Sequence, residues 1–133
     1  MGCDIHLFSE IKDGGKWHCI DGFIDQRGYI ETISFLDDSR NYRLFAILAG
    51  VRSSSGVTPI VLPRGLPNDC SKEAMRASTE FAGDGHSHSW LSLDELETYD
   101  WNEVGIAWGT TEVKRLRERA IERPVRIVFF FDN

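Results

Sequence analysis

The chain reads Val125-Arg126-Ile127-Val128-Phe129-Phe130-Phe131 after Pro124, and this run becomes apolar on both faces toward its end. A strand with one side in water alternates apolar and polar residues, whereas a strand covered on both sides is apolar nearly throughout. The run therefore predicts a strand in the middle of a sheet. The remaining elements have to supply its neighbours and cover its two faces.

The N-terminal part predicts a hairpin that can lie beside this strand. Residues 3–12 alternate between apolar and polar side chains, and a return strand is expected from Lys16 to about Ile20. Asp13-Gly14-Gly15-Lys16 is typical of a tight turn, because glycine adopts positive φ without steric cost. Residues 21–35 are rich in β-prone side chains and predict an extended excursion or a third strand.

Capping residues and the helical spacing of apolar side chains predict four helices. We expect them over residues 40–50, 71–81, 92–99 and 110–123. The first is expected to begin at Asp37-Asp38-Ser39 and to stop at Gly50. Ser92 and Glu95 have the spacing of a capping box.

These elements predict an α+β fold in a single domain, residues 1–133. A mixed or antiparallel sheet, built from the N-terminal hairpin and the C-terminal strand, is expected to be covered by two or three helices. The long loop over residues 51–69 holds three of the four prolines and is too apolar for a solvated linker. We expect it to pack against residues 83–91 at one edge of the sheet, next to Asp4 and His6.

The composition limits the classes of partner. A net charge of -6 argues against binding long nucleic acids, whose affinity depends on many lysines and arginines. No apolar run is long enough to span a bilayer, and no basic segment precedes an apolar one near Met1, so we expect neither a membrane anchor nor a signal peptide. Three widely spaced cysteines without a CxxC pair favour free thiols and a cytoplasmic setting.

Five segments of the chain carry distinctive motifs. They are MGCDIH at Met1–His6, RNYRLFAILAGVR at Arg40–Arg52, PRGLP at Pro63–Pro67, GDGHSHSWL at Gly83–Leu91 and FFFDN at Phe129–Asn133. With these motifs, over most of its length, the chain resembles a family of uncharacterised proteins of bacteriophage and bacterial genomes. The resemblance implies a phage setting and no particular activity.

Half of the histidines lie two residues apart in the segment Asp84-Gly85-His86-Ser87-His88-Ser89-Trp90. In an extended strand, alternate side chains would place Asp84, His86, His88 and Trp90 on one side. Imidazole and carboxylate groups are ligands of zinc, manganese and iron. One hypothesis is therefore a divalent metal site, with its ligands drawn from Asp4, His6, Asp84, His86 and His88. The alternative is that these histidines are only hydrogen-bonded polar groups.

A second hypothesis is a pocket for a small anionic, nucleotide-like ligand. Arginine suits bidentate phosphate or carboxylate binding, and flat rings stack on aromatic or guanidinium groups. The candidate residues are Arg40, Asn41, Tyr42, Arg52, Arg64, His86, His88 and Trp90. No P-loop or GxGxxG fingerprint is present. The competing interpretation makes the arginines surface charges and the aromatic residues core.

A third hypothesis is hydrolysis, with His86 or His88 as general base oriented by Asp84 or Asp4. The nucleophile is unassigned, because Ser87 and Ser89 lack a GxSxG elbow. We therefore expect a phage-type protein that binds a small anionic ligand and that sequesters a host signal as counter-defence. The alternatives are a metal-dependent hydrolase and a protein-interaction inhibitor, and a homo-oligomer is compatible with all three.

Overall fold

The computed structural model describes residues 2–53 and 56–133. Three residues of the predicted domain lie outside the described ones. They are Met1, which begins the MGCDIH motif, and Ser54 and Ser55 in the predicted loop. In chain order the elements are β1 (Asp4–Asp13), β2 (Lys16–Cys19), β3 (Gly22–Gln26), β4 (Tyr29–Ile33), α1 (Tyr42–Ala49), α2 (Lys72–Glu80), β5 (Gly85–Ser92), α3 (Leu93–Thr98), α4 (Trp101–Val104), α5 (Trp108–Arg119) and β6 (Val125–Asp132). The α+β fold class is confirmed.

The C-terminal strand lies inside the main sheet, as its sequence predicts. The strand order is β2-β1-β6-β5, and every neighbouring pair is antiparallel. Phe129, Phe130 and Phe131 are fully buried because both faces of β6 are covered. The predicted N-terminal hairpin forms β1 and β2, and the histidine-rich segment forms the fourth strand.

The two faces of the sheet carry two apolar clusters. The larger cluster joins Ile5, Leu7, Phe129 and Phe131 to buried residues of α1, α3 and α5. The smaller cluster lies on the opposite face, where Phe8, Val128 and Phe130 pack against Ala74 of α2. We call these the α1 face and the α2 face. Neighbouring residues of β6 therefore point to different faces.

A buried ion pair joins β1 to β6 on the α2 face. Arg126 Nε donates to Glu10 Oε1 at 2.8 Å, and both residues are buried. Glu10 also accepts a hydrogen bond from the Ser71 N–H at 2.6 Å, and Arg126 reaches Asp69 at 3.1 Å. The Arg126 guanidinium lies 3.9 Å from the ring centroid of Trp17. These partners satisfy charges that would be costly to bury alone.

Residues 21–35 form a separate two-stranded sheet, β3 paired with β4, rather than a third strand of the main sheet. The buried carboxylate of Asp21 holds its base. It accepts hydrogen bonds from Ser9 N (3.2 Å), Phe35 N (2.8 Å) and Cys19 Sγ (3.1 Å). Burial raises the pKa of Asp21 despite these donors.

Two helix boundaries differ from the predictions. The N-cap of α1 is Asn41, whose side-chain oxygen accepts from Leu44 N at 3.1 Å, and not the segment 37–39. Asp37 instead accepts hydrogen bonds from the N–H and hydroxyl of Ser39, which lower the pKa of Asp37. Helix α5 begins at Trp108 and ends at Arg119, where the backbone of Ala120 leaves the helical conformation.

The cap predictions and the docking of the loop on β5 agree with the structure, but β6 separates β5 from Asp4 and His6 on β1. Gly50 ends α1 with φ at 71°, and Ser92 and Glu95 form the capping box of α3. Within residues 51–53 and 56–69 the structure has no helix or strand, and this loop docks on β5. Gly65 N donates to the carbonyl of His88 at 2.8 Å. Among the described residues, no helix is long and apolar enough to cross a membrane.

Candidate functional site

Polar side chains from both ends of the chain meet where β1 begins and β6 ends. In the register of the sheet, Asp4 pairs with Asp132, and Asp132 pairs with Gly85. We call this region the sheet-end site. It comprises Cys3, Asp4, His6, Arg40, Tyr42, Arg52, His86, Ser87, His88, Asp132 and Asn133.

His6 is held by a carboxylate that the sequence did not single out. His6 Nε2 lies 2.5 Å from Asp132 Oδ2, with the two side chains 24% and 21% exposed. Because a carboxylate accepts, Nε2 donates, and this leaves Nδ1 for another partner. The ring also stacks on Phe130, with centroids 4.7 Å apart, and lies against Phe81 at 4.2 Å. The contacts hold the imidazole in one orientation, as proton transfer requires.

A β-bulge separates the two histidines of β5. His86 pairs with Phe131 and Ser89 pairs with Phe129, so three steps along β5 match two along β6. Ser87 lies in the bulge with φ at 56°, a left-handed conformation that is rare for residues other than glycine. The prediction that His86 and His88 share one side is therefore wrong. One extra residue reverses the alternation.

His86 is linked to two side chains in series. Its Nε2 lies 2.9 Å from Asn133 Oδ1, and its Nδ1 lies 2.9 Å from Ser87 Oγ. An amide oxygen only accepts, so Nε2 carries the proton. In the neutral ring Nδ1 is then the acceptor, and the Ser87 hydroxyl donates to it. The hydroxyl of Ser87, the imidazole of His86 and the amide of Asn133 thus form one hydrogen-bonded series.

His88 lies on the α2 face and has a different environment. Its ring stacks on Phe130 with centroids 5.0 Å apart and planes inclined by 18°. Burial lowers the pKa of His88, and the neighbouring His86 lowers it further. A neutral, stacked imidazole is therefore the favoured form of His88 at neutral pH.

The proposed metal ligands do not assemble. Phe130 pairs with His6 and stacks with both His6 and His88, one on each neighbouring strand. Asp4 bonds to Arg40, and Asp84 is exposed. In the part of the chain that the structure describes, no group of three or more His, Cys, Asp or Glu residues could hold a metal ion. The metal hypothesis gains no support from this geometry.

Two arginines approach the sheet-end site near Cys3. Arg40 Nε donates to Asp4 Oδ1 at 3.0 Å, which raises the pKa of Arg40. The Arg52 guanidinium lies 5.3 Å from the ring centroid of Tyr42, and the Tyr42 hydroxyl accepts from Cys3 N at 3.2 Å. Burial raises the pKa of the Cys3 thiol, while the charge of Arg52 lowers it.

Gly2 lies against the guanidinium of Arg40. A Cβ built at Gly2 would lie 2.3 Å from an Arg40 Nη atom and 2.6 Å from Cζ. A larger side chain at position 2 would therefore require the end of the Arg40 side chain to shift.

The other predicted ligand-binding residues lie elsewhere or have structural roles. Asn41 caps α1. Arg64 forms a two-pronged ion pair with Glu95, and its guanidinium lies 4.3 Å from the ring centroid of Trp90. The Arg64 pair lowers the pKa of Glu95. These contacts join the proline-rich loop to β5 and α3.

Sequence reasoning missed Asp132, Asn133 and the role of Ser87. Asp132 and Asn133 follow the apolar run directly, and polar residues at the end of a buried strand are a signal that was available. The pairing of Ser87 with His86 depends on the bulge and leaves no pattern in the sequence.

Comparisons with known proteins add no assignment. No family model matches the chain, and neither the curated proteins nor the solved structures include a match. The resemblance noted from the five motifs therefore stays an expectation.

Proposed function

We propose that the protein binds a small anionic ligand at the sheet-end site. One observation carries the proposal: the Arg52 guanidinium lies 5.3 Å from the ring centroid of Tyr42, an exposed residue whose hydroxyl accepts a hydrogen bond from Cys3 N. Arg40 lies at the same end of the sheet, where it is paired with Asp4. Guanidinium groups are the usual ligands of phosphate and carboxylate oxygens.

The neighbouring groups suit a ligand that also carries hydroxyl or ring nitrogen atoms. Tyr42 is exposed and has the Arg52 guanidinium over its ring, so a flat base can stack at this place. Ser87, His86 and Asn133 supply neutral donors and acceptors. A nucleotide-like molecule combines these features.

The resemblance to proteins of phage genomes supports a biological role. In this proposal the protein acts in the cytoplasm of the host, where it sequesters a signalling nucleotide and so counters a host defence.

Isothermal titration calorimetry tests the proposal. The titrants are inorganic phosphate and a panel of nucleoside mono-, di- and triphosphates, cyclic nucleotides and dinucleotides. A charged hydrogen bond contributes about 1.5–3 kcal/mol, so Arg52→Gln should weaken binding by roughly 10- to 100-fold. Arg119→Gln is the matched control, because Arg119 is exposed on α5. The absence of heat with every titrant would contradict the proposal.

One observation favours a protein-interaction module as a second candidate. Phe23, Ile24 and Ile33 on the β3–β4 hairpin are 41%, 40% and 50% exposed. A two-stranded sheet also has two edges whose backbone groups can pair with another chain. The occupant we propose is an extended strand of a host protein that joins this hairpin.

A photo-crosslinking amino acid at position 24, introduced in living cells, tests the second candidate. We expect one dominant adduct that disappears when Phe23→Lys is added. An adduct that survives Phe23→Lys, or none at all, would count against it.

A further inference from the structure

The series Ser87, His86 and Asn133 carries an inference beyond ligand binding. We propose that Ser87 is the nucleophile of an acyl-transfer site that hydrolyses carboxylic esters. His86 is its general base, and Asn133 is a positioning residue. The inference rests on the hydrogen-bonded series, and only the preference for an anionic ester rests on the proposed function.

The hydrogen bonds have the directions that this chemistry needs. Asn133 Oδ1 fixes the Nε2–H tautomer of His86, and Nδ1 then faces the Ser87 hydroxyl at 2.9 Å. A nucleophile, a base and an orienting group within hydrogen-bond reach are the geometric signature of covalent catalysis. Removal of the hydroxyl proton by Nδ1 is what makes a serine reactive near neutral pH.

The backbone of Ser87 gives a second, independent observation. Left-handed φ at a non-glycine residue costs about 1–3 kcal/mol, and glycine would remove that cost. Serine is nevertheless the residue at this bulge, where its side chain is part-buried and in contact with His86. A strained turn that presents a serine hydroxyl is also the device used by hydrolase nucleophile elbows.

Attack of Ser87 on an ester places negative charge on the carbonyl oxygen, which becomes an oxyanion. The bulge and Arg52 are the groups that we assign to the negative charges of the substrate. Ser87 and His88 lie in the bulge between the register positions His86 and Ser89, and we assign their N–H groups to the oxyanion. Arg52 lies on the same end of the sheet and is assigned to a carboxylate or phosphate elsewhere on the substrate. An ester with an anionic substituent is therefore the preferred substrate class.

The reaction proceeds in two balanced halves. Ser87 Oγ bonds to the ester carbonyl carbon while His86 Nδ1 takes the hydroxyl proton. The carbon–oxygen bond of the ester then breaks, and His86 returns that proton to the departing alkoxide as an alcohol. Water next attacks the acyl group on Ser87, giving its proton to His86, and the carboxylic acid leaves as Ser87 Oγ recovers the proton. The sum is ester plus water to acid plus alcohol.

A fluorophosphonate probe followed by peptide mass spectrometry tests the nucleophile. We expect a single modified residue, Ser87, and loss of labelling in Ser87→Ala, which keeps a side chain in the strained conformation. Ser78→Ala, on helix α2, is the matched control and should label normally. Absence of labelling in the folded wild-type protein, or labelling of another serine, would overturn the proposal.

Steady-state hydrolysis of p-nitrophenyl acetate and of mono-p-nitrophenyl succinate tests the other roles. General base catalysis contributes on the order of 10²- to 10⁴-fold, so His86→Ala should lower kcat by at least about 100-fold. Asn133→Ala should lower kcat and shift the pH profile, while Asn133→Asp, which keeps an acceptor, should restore both. A profile unchanged in Asn133→Ala would contradict its positioning role.

The two proposals can fail separately. Arg52→Gln should raise the KM for the succinate ester more than the KM for the acetate ester. If Ser87 does not label but nucleotides still bind, the acyl-transfer proposal is overturned and anion binding stands. If Ser87 labels but Arg52→Gln affects neither ester nor nucleotide, the anion proposal fails alone.

Discussion

His6 Nε2 and Asp132 Oδ2 lie 2.5 Å apart, although 126 positions of sequence separate the two residues. Antiparallel pairing of β1 with β6 brings them together, because Asp132 lies two residues beyond Phe130, the register partner of His6. The pair links the first part of β1 to the last residue of β6.

Removing the carboxylate should destabilise the protein. In Asp132→Ala the partly buried N–H of His6 loses its acceptor, and an unsatisfied donor costs about 1–3 kcal/mol. Urea unfolding should show a loss near the lower end of that range, because His6 keeps some access to water. Asp84→Ala is the control, since Asp84 is exposed and should change stability by less than about 0.5 kcal/mol. Equal effects of the two changes would contradict the assignment.

We expect substitutions of Glu10 and Arg126 to have non-additive effects on the free energy of unfolding. Glu10→Leu or Arg126→Met alone leaves a buried charge without its partner and should cost about 3–5 kcal/mol. The double variant removes both charges and should be less destabilised than the sum of the single changes. A double-mutant cycle in urea measures the difference. Additive effects would mean that the two charges are solvated independently.

The pKa of His88 predicts a loss of stability in mild acid. Above pH 6.5, the ordinary value, His88 is neutral in both the folded and the unfolded state. As the pH falls from 6.5 to the lowered folded pKa, the unfolded chain takes up a proton that the folded state resists, so stability is lost.

The measurement is the free energy of unfolding between pH 8 and pH 5. His88→Phe, which keeps a ring on Phe130 and cannot titrate, should lose less stability over this range than the wild type. His18→Gln removes an exposed histidine and should follow the wild type. An identical pH dependence in wild type and His88→Phe would refute the prediction.

The rate at which Cys19 is alkylated should differ between the folded and the unfolded protein. All three cysteines are free. Of the three thiols, that of Cys19 has the most strongly raised pKa. Burial is the main cause, and the negative charge of the adjacent Asp21 carboxylate raises the pKa further. Because the thiolate is the reactive form, Cys19 should be alkylated slowly by iodoacetamide at pH 8 and rapidly in urea.

Mass spectrometry of the alkylated peptides gives the rate for each cysteine. Asp21→Asn removes the negative charge beside Sγ and loosens the base of the β3–β4 hairpin, so it should accelerate alkylation of Cys19 more than that of Cys70. Fast alkylation of Cys19 in the folded wild type would contradict the prediction.

The sequence predicts those elements whose signals are local. Gly14 and Gly15 mark the first turn, Gly50 ends α1, and the Ser92–Glu95 capping box begins α3. The apolar run after Pro124 predicts that β6 is an inner strand, because a strand buried on both faces is apolar nearly throughout. In each case a few adjacent residues determine the structure.

The site depends on relationships that local patterns do not contain. The left-handed φ of Ser87 inserts one extra residue into β5 and sends His86 and His88 to opposite faces. The acceptors of the His6 and His86 imidazoles are Asp132 and Asn133, which only the strand register brings near them. Alternation predicts faces correctly until a bulge interrupts it.

The position of β6 between β1 and β5 has a consequence for synthesis of the protein. A nascent chain that has not yet released its last strand from the ribosome has β1 and β5 but nothing to pair between them. The edges of β1 and β5 that face β6 therefore stay unpaired until residues 125–132 have emerged. The sheet-end site, built from Asp4 and His6 of β1 and Asp132 of β6, forms only once β6 has joined the sheet.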